Sequence, residues 1–219
     1  EELPSGAGYE EVTGAFTIDG GTGTNTLNAT ADTDWTLNGT SLSAKAPGSR
    51  LLVTNINDVH LTGGSSINRL EVQDWFGSVT LDGAGGEDQY VLDEEAIGIV
   101  DVSDSGTDAA LDQLTVTGTG SQDEFLLSGT QVWLNSKISE YAGIEIVRLA
   151  GLGGDDRLRV IDSTAGRVLL DGGDDSDTYG ILEGTSPVQV YVNDTGPVPD
   201  AVGNVDRLNV PPSAVSLGG

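Results

Sequence analysis

The sequence contains the nonapeptide Gly151-Leu-Gly-Gly-Asp-Asp-Arg-Leu-Arg159, and similar nonapeptides occur four more times. In each nonapeptide the first residue is Gly, the sixth is Asp or Asn, and the eighth is Leu or Tyr. The five copies span residues 20–28, 63–71, 83–91, 151–159 and 172–180. Recurrence of a short unit is typical of folds in which successive units stack on one another.

A longer repeat contains the short one. Residues from about 27 to 106 are matched by residues from about 114 to 196, and Leu208 lies at the start of a third copy. For example, Val102-Ser-Asp-Ser-Gly returns as Val192-Asn-Asp-Thr-Gly. In the same way, Asp112-Gln-Leu-Thr-Val returns as Asp206-Arg-Leu-Asn-Val. The predicted domains are an N-terminal extension (1–14), a repetitive domain (15–210) and a C-terminal tail (211–219).

Short alternating apolar runs predict the secondary structure. Runs such as Val79-Thr-Leu81 have the period of two that is typical of strands, and Gly, Asp, Asn and Ser bound them. Gly63 and Gly83 lie 20 residues apart, and Gly151 and Gly172 lie 21 apart. One coil of about 20 residues, with its strand paired to the next coil, explains that spacing. We therefore predict an all-β fold, a single right-handed parallel β-solenoid of about 20 residues per coil.

The segments between the paired turns are less regular. Residues 35–53 and 125–138 carry no nonapeptide, and we expect them to form the remaining coils.

Charge and composition limit the partners. The 219 residues include 35 acidic and 9 basic side chains, which give a net charge of −26. So negative a surface repels nucleic acid and anionic membranes and attracts cations, so we expect no nucleic-acid partner. No apolar stretch approaches the ~20 residues that span a bilayer, so we expect no membrane insertion. Because cysteine and methionine are absent, we expect an exported protein located outside the cell or at its surface.

The nonapeptides resemble the Gly-Gly-x-Gly-x-Asp-x-apolar-x repeat of RTX (hemolysin-type) calcium-binding proteins. The longer pattern is similar to RTX-related repeats within very large bacterial surface proteins. The resemblance implies that six residues form a tight turn, that three form a strand, and that Ca²⁺ lies between stacked turns. The Asp of the family motif falls at Asp88, Asp156 and Asp177. Ala84 and Leu152 depart from the motif, because they replace its second glycine.

Further carboxylates lie on the same predicted edge. Ca²⁺ binds six to eight oxygen ligands, which closely spaced aspartates can supply. The candidate calcium ligands are Asp82, Asp88, Asp155, Asp156, Asp171, Asp174, Asp175 and Asp177. The alternative is that these residues only form turns, since Asp and Asn accept hydrogen bonds from nearby backbone amides.

Other classes of protein are less well supported by the sequence. The chain has one histidine, His60, and two lysines, Lys45 and Lys137, and its acidic positions follow the repeat. A catalytic site is usually a local break in symmetry, so we predict that the protein is not an enzyme. Trp75 and Phe76 have no aromatic counterpart in the second long repeat, which makes them candidates for a contact surface.

Together these observations predict an exported, calcium-binding structural rod or spacer of a cell-surface assembly. One alternative is a subunit of a homopolymeric extracellular fibre that assembles end to end. Another is an adhesin that binds a glycan or a receptor through its loop aromatics. Calcium ions, a second copy of the chain and a surface glycan are the corresponding partners.

Overall fold

The computed structural model describes residues 14–45, 49–93, 98–182, 188–196 and 206–210. The predicted C-terminal tail lies outside the described residues, as does the N-terminal extension apart from Gly14. The described residues are all-β and contain no helix, so the expected fold class is confirmed at this level. In the same part of the chain there is no helix with the length and apolar character needed to cross a membrane.

Twenty strands form two ten-stranded sheets. The first ten strands are β1 (Gly14–Asp19), β2 (Thr26–Thr30), β3 (Trp35–Asn38), β4 (Ser41–Ala44), β5 (Ser49–Thr54), β6 (Asp58–Gly64), β7 (Arg69–Val72), β8 (Ser78–Ala84), β9 (Gln89–Asp93) and β10 (Val100–Ser103). The other ten are β11 (Gln113–Thr117), β12 (Glu124–Ser128), β13 (Gln131–Leu134), β14 (Lys137–Ala142), β15 (Ile146–Gly153), β16 (Arg157–Val160), β17 (Arg167–Asp174), β18 (Thr178–Ile181), β19 (Gln189–Val192) and β20 (Arg207–Asn209). The first sheet has the order β1-β5-β4-β3-β7-β9-β11-β15-β17-β19, and the second has the order β2-β6-β8-β10-β14-β13-β12-β16-β18-β20.

Both sheets are mixed, so the expectation of a single parallel solenoid is wrong. The chain alternates between the sheets except in two places, where three consecutive strands stay in one sheet. These strands, β3–β5 and β12–β14, pair with their chain neighbours in antiparallel orientation. Tight turns cause the first reversal of each meander, because Gly39 (φ 44°) and Gly129 (φ 61°) adopt the left-handed backbone conformation that glycine favours. The segments expected to form further coils are therefore antiparallel meanders.

Parallel stacking holds where no meander intervenes. Val59 of β6 lies beside Val79 of β8, and Val147 of β15 lies beside Val168 of β17. These valines are buried in one hydrophobic core that contains side chains of both sheets. The turn that starts at Gly151 lies next to the turn that starts at Gly172, because the flanking residues of β15 and β17 pair in register.

The strand order itself is repetitive. Adding nine to the strand numbers converts β1-β5-β4-β3-β7-β9-β11 of the first sheet into β10-β14-β13-β12-β16-β18-β20 of the second. The same operation converts β2-β6-β8-β10 of the second sheet into β11-β15-β17-β19 of the first. Each set of nine strands crosses between the sheets an odd number of times, so equivalent strands lie in opposite sheets.

One turn position stores backbone strain that a substitution can release. Leu152 has φ 81°, a conformation that costs a non-glycine residue about 1–3 kcal/mol, and 55% of its surface is exposed. We predict that Leu152→Gly raises the free energy of unfolding by about 1 kcal/mol in equilibrium denaturation, because glycine adopts this conformation without strain.

Leu111→Gly is the matched control, because Leu111 is 46% exposed and lacks a positive φ. This variant should lower the free energy of unfolding, since glycine increases the entropy of the unfolded chain. If both variants lower the free energy of unfolding by the same amount, the backbone at Leu152 is not strained.

Candidate metal centres

The sixth residue of each described nonapeptide directly precedes a strand, and its side chain contacts the neighbouring turn. On one side of the molecule the Asn68 N–H donates to Asp88 Oδ1 at 2.7 Å, and the Asp88 N–H donates to Asp112 Oδ1 at 2.8 Å. Each carboxylate therefore accepts a hydrogen bond from the backbone of the preceding turn. We call this row of bonds the first ladder.

The second ladder lies where strands of the second sheet begin. The Asp123 N–H donates to Asp156 Oδ1 (2.7 Å), and the Asp156 N–H donates to Asp177 Oδ1 (2.8 Å). The Asp177 N–H continues the ladder to Asp206 Oδ1 at 3.0 Å. The turn-forming interpretation of the aspartates thus accounts for one oxygen of each carboxylate.

The second oxygen of three ladder carboxylates is buried without a hydrogen-bond partner. These atoms are Oδ2 of Asp88, Asp156 and Asp177, whose side chains are at most 1% exposed. A buried carboxylate oxygen that accepts nothing loses its hydration without compensation, which is costly when the group is ionised. A bound proton or a bound cation removes this cost.

Backbone conformation explains why these oxygens have no donor. In the three turns concerned, the second residue has a positive φ: 76° at Ala84, 81° at Leu152 and 93° at Gly173. Its amide does not donate to the ladder carboxylate of the same turn, whose Oδ2 stays unpaired. At Ala84, for example, the N–H donates to Asp82 Oδ1 (3.0 Å).

Two other turns show the opposite arrangement. The Gly64 N–H donates to Asn68 Oδ1 (2.7 Å), and the Thr119 N–H donates to Asp123 Oδ2 (2.6 Å). Neither Gly64 nor Thr119 has a positive φ. Turns whose second residue has a positive φ therefore leave a carboxylate oxygen without a donor, whereas in the other two turns a backbone amide donates to the corresponding side-chain oxygen.

Asp88 belongs to the first acidic centre. Asp88, Asp104 and Asp112 each offer one oxygen, and the three atoms lie within 4.8 Å of one another. The Tyr90 hydroxyl donates to Asp104 Oδ2 at 2.6 Å and accepts from the Gly83 N–H at 2.5 Å. The tyrosine thus fixes Asp104, which comes from the loop after β10, beside the ladder residues.

Asp177 belongs to a second, equivalent centre. Asp177, Asp194 and Asp206 also offer oxygens within 4.8 Å of one another. The Tyr179 hydroxyl donates to Asp194 Oδ2 (3.0 Å) and accepts from the Gly172 N–H (2.8 Å). Each centre combines three carboxylates, an orienting tyrosine and one unpaired buried oxygen. Ligand sets made only of oxygen suit hard cations such as Ca²⁺ or Mg²⁺.

Burial raises the pKa of Asp88, Asp104 and Asp112 in the first centre and of Asp177 and Asp194 in the second. Burial raises the pKa of Asp88 and Asp112 to about 6, and the charge of Asp104 adds to the effect at both residues. Burial also raises the pKa of Asp177 to about 6, assisted by the charges of Asp194 and Asp206. Hydrogen bonds from the backbone oppose these shifts without cancelling them. The ionised centres are therefore destabilised at neutral pH unless a cation compensates them.

The structure separates the eight aspartates predicted from the sequence. Asp88 and Asp177 lie in the two centres, and Asp156 has an unpaired oxygen in the second ladder but lies in neither three-carboxylate centre. Asp171 forms an ion pair with Arg148 at 2.7 Å. Asp82, Asp155 and Asp175 accept hydrogen bonds from backbone amides, and Asp174 is exposed.

Four residues of the centres were not predicted from the sequence. Asp104, Asp112, Asp194 and Asp206 lie outside the nonapeptides. Their signal was present in the long repeat, where Ser-Asp-Ser-Gly and Asn-Asp-Thr-Gly occupy equivalent positions, as do Asp112 and Asp206.

The predicted aromatic contact surface is only partly present. Trp75 is 5% exposed and belongs to the hydrophobic core, whereas Phe76 is 71% exposed. Trp35 is partly buried against the core. A single exposed aromatic side chain therefore remains of the predicted pair.

Comparison with protein-family models, with curated proteins and with solved structures finds no match for this chain. The resemblance to RTX repeats stays a prediction.

Burial raises the pKa of Asp156 to about 7, and the nearby charge of Asp177 adds to the effect. We therefore expect the stability of the fold to depend on pH. A folded-state pKa above the ordinary value of 3.8 means that stability is greatest at low pH and is lost as the pH rises through about 7. In chelator, the melting temperature should therefore fall between about pH 4 and pH 8.

Asp156→Asn isolates this contribution from the repulsion of the whole acidic surface. Asn25 shows that an amide fits the equivalent position of a turn whose second residue, Gly21, has a positive φ, since its Nδ2 donates to the Asn55 carbonyl (2.8 Å). The variant should raise the metal-free melting temperature by several degrees at pH 8 and leave it nearly unchanged at pH 4. An equal effect at both pH values would contradict the assignment.

Proposed function

We propose that this chain is a calcium-stabilised structural module, a rod or spacer of a cell-surface assembly. The observation that carries the proposal is the occurrence of two equivalent acidic centres, each with a buried carboxylate oxygen that lacks a partner. A cation at each centre would neutralise the repulsion between three carboxylates and supply the missing partner.

Calcium is the cation that fits the ligand set best. In the first centre the ligands come from three chain segments, before β9, after β10 and before β11. Such a site is more adaptable in size than the compact octahedron that Mg²⁺ requires, and Ca²⁺ accepts the irregular geometry. The remaining coordination positions would be filled by water.

Ion binding would stabilise the fold because the ligands are distant in sequence. The ion links the loop between β10 and β11 to the turn that precedes β9, a contact the unfolded chain lacks. An ion that binds only the folded chain stabilises it by about 2.7 kcal/mol when its concentration is 100-fold above Kd.

We propose a structural role rather than a catalytic one, since the acidic centres occur twice at equivalent positions. An extracellular location follows from the same proposal. Calcium sites of extracellular modules are often of low affinity, with Kd of about 10⁻⁴–10⁻³ M, and they fill only where calcium is abundant.

An adhesin is the second candidate, and one observation favours it. The exposed Phe76 lies beside Trp75 at a cavity of about 280 Å³ that also contains Ile56. Aromatic side chains beside a shallow cavity can stack on a sugar ring. Binding to a glycan array that Phe76→Ala abolishes would support this function over the structural one.

Calcium titration with thermal unfolding tests the principal proposal. Saturating calcium should raise the melting temperature by about 5–10 °C relative to chelator, the shift that corresponds to about 2.7 kcal/mol in a domain of this size. The double variant Asp88→Asn, Asp177→Asn should lose most of this shift, because it removes one ligand from each centre.

Asp101→Asn is the control, because Asp101 lies in β10 but is exposed and outside both centres. It removes a similar negative charge and should keep the calcium shift. An unchanged melting temperature in calcium and in chelator would refute the proposed function.

A further inference from the structure

The first observation concerns equivalent positions in the middle and at the N-terminal end of the sheets. Val100 and Val102 of β10 are 2% and 0% exposed. Strand β1 is the equivalent of β10, since it pairs with β5 as β10 pairs with β14. At the corresponding positions Phe16 and Ile18 are 53% and 37% exposed. Apolar side chains at equivalent repeat positions are thus buried in the middle of the sheets and exposed at the N-terminal end.

The C-terminal end shows the same contrast. Leu114 and Val116 of β11 are 0% and 4% exposed. Their equivalents Leu208 and Val210, in and directly after β20, are 56% and 37% exposed. Val192 of β19 is 37% exposed, although its equivalent Val102 is buried.

Strand pairing explains the difference. In the interior, β10 pairs with β8 and β14, and β11 pairs with β9 and β15. Within the described residues, the end strands β1, β2, β19 and β20 each pair on one side only. In this part of the chain, the ends therefore have the apolar pattern of interior layers, but no further described strand covers them.

The two ends expose opposite edges of equivalent strands. Strand β1 pairs with β5 through the edge that corresponds to the β14-facing edge of β10. Its other edge, which corresponds to the β8-facing edge of β10, has no partner among the described strands. Strand β19 is paired on the β8-like edge and free on the β14-like edge. All strands of the first sheet except β4 run in the same direction, so β1 and β19 are parallel.

We propose that these ends bind each other in a second copy of this chain, with β1 and β2 of one copy stacking on β19 and β20 of the next. The contact would form two parallel strand pairs and cover the exposed apolar side chains at both ends. At the N-terminal end it would close a cavity of about 360 Å³ lined by Phe16, Leu27 and Trp35. A head-to-tail contact leaves the other end of each copy available for a further copy, so it produces oligomers larger than a dimer.

Charge makes the association depend on ionic strength. Each copy carries a net charge of −26, so the copies repel one another at low salt. Added NaCl should therefore strengthen the contact by screening, even in chelator. This dependence separates end-to-end binding from the calcium proposal, since it requires no metal.

Sedimentation velocity at high NaCl in chelator, over a range of protein concentrations, tests the proposal. The unmodified chain should form oligomers longer than dimers as its concentration rises. Ile18→Lys blocks the N-terminal end and Leu208→Lys blocks the C-terminal end, each with a charge on an exposed side chain. Either variant alone should stay monomeric at protein concentrations up to at least tenfold above those at which the unmodified chain forms oligomers.

An equimolar mixture of the two variants should form dimers and nothing larger, since each variant keeps one functional end. Phe76→Lys, at an exposed apolar residue away from both ends, should associate like the unmodified chain. Melting temperatures of all three variants check that they fold. The proposal is overturned if the unmodified chain stays monomeric, if either end variant still forms oligomers, or if their mixture forms no dimer.

Discussion

The structure depends on one repeated interaction, the hydrogen bond from the backbone of one turn to the side-chain carboxylate of the next. The bond places Asp88 and Asp177 at full burial, where a hydrophobic core would not accept an ionised group without compensation. It also holds successive turns in register, so the strands that follow them pair along the same line. Stacking and buried negative charge therefore have the same origin.

The φ of the second turn residue determines whether the second carboxylate oxygen has a hydrogen-bond donor. Where the backbone has ordinary φ, as at Thr119, a local amide satisfies the second oxygen. Where φ is positive, as at Gly173, that oxygen stays free inside the protein. Two of the three free oxygens belong to residues of the three-carboxylate centres, which connects a backbone feature to the proposed binding of metal.

The alternating apolar runs predicted the all-β class, and the nonapeptide predicted the neighbouring turns at Gly151 and Gly172 and two residues of the centres. The meanders were missed because their turns, at Gly39 and Gly129, lie in segments that were assigned to further coils rather than to reversals. Asp104 and Asp194 were missed because they belong to the long repeat alone, and a local motif cannot show which loop a tyrosine hydroxyl will hold. The sequence does not show the burial of Trp75, because two adjacent aromatic residues look equivalent until the fold places Trp75 in the core and leaves Phe76 exposed.

Isothermal titration of the metal-free chain with Ca²⁺ at neutral pH, where the competing protons are few, tests the central claim most directly. The account predicts two equivalent ions per chain, and one ion after Asp112→Asn, which removes a ligand from the first centre only. Absence of binding at millimolar calcium, or two ions still bound by that variant, would contradict it.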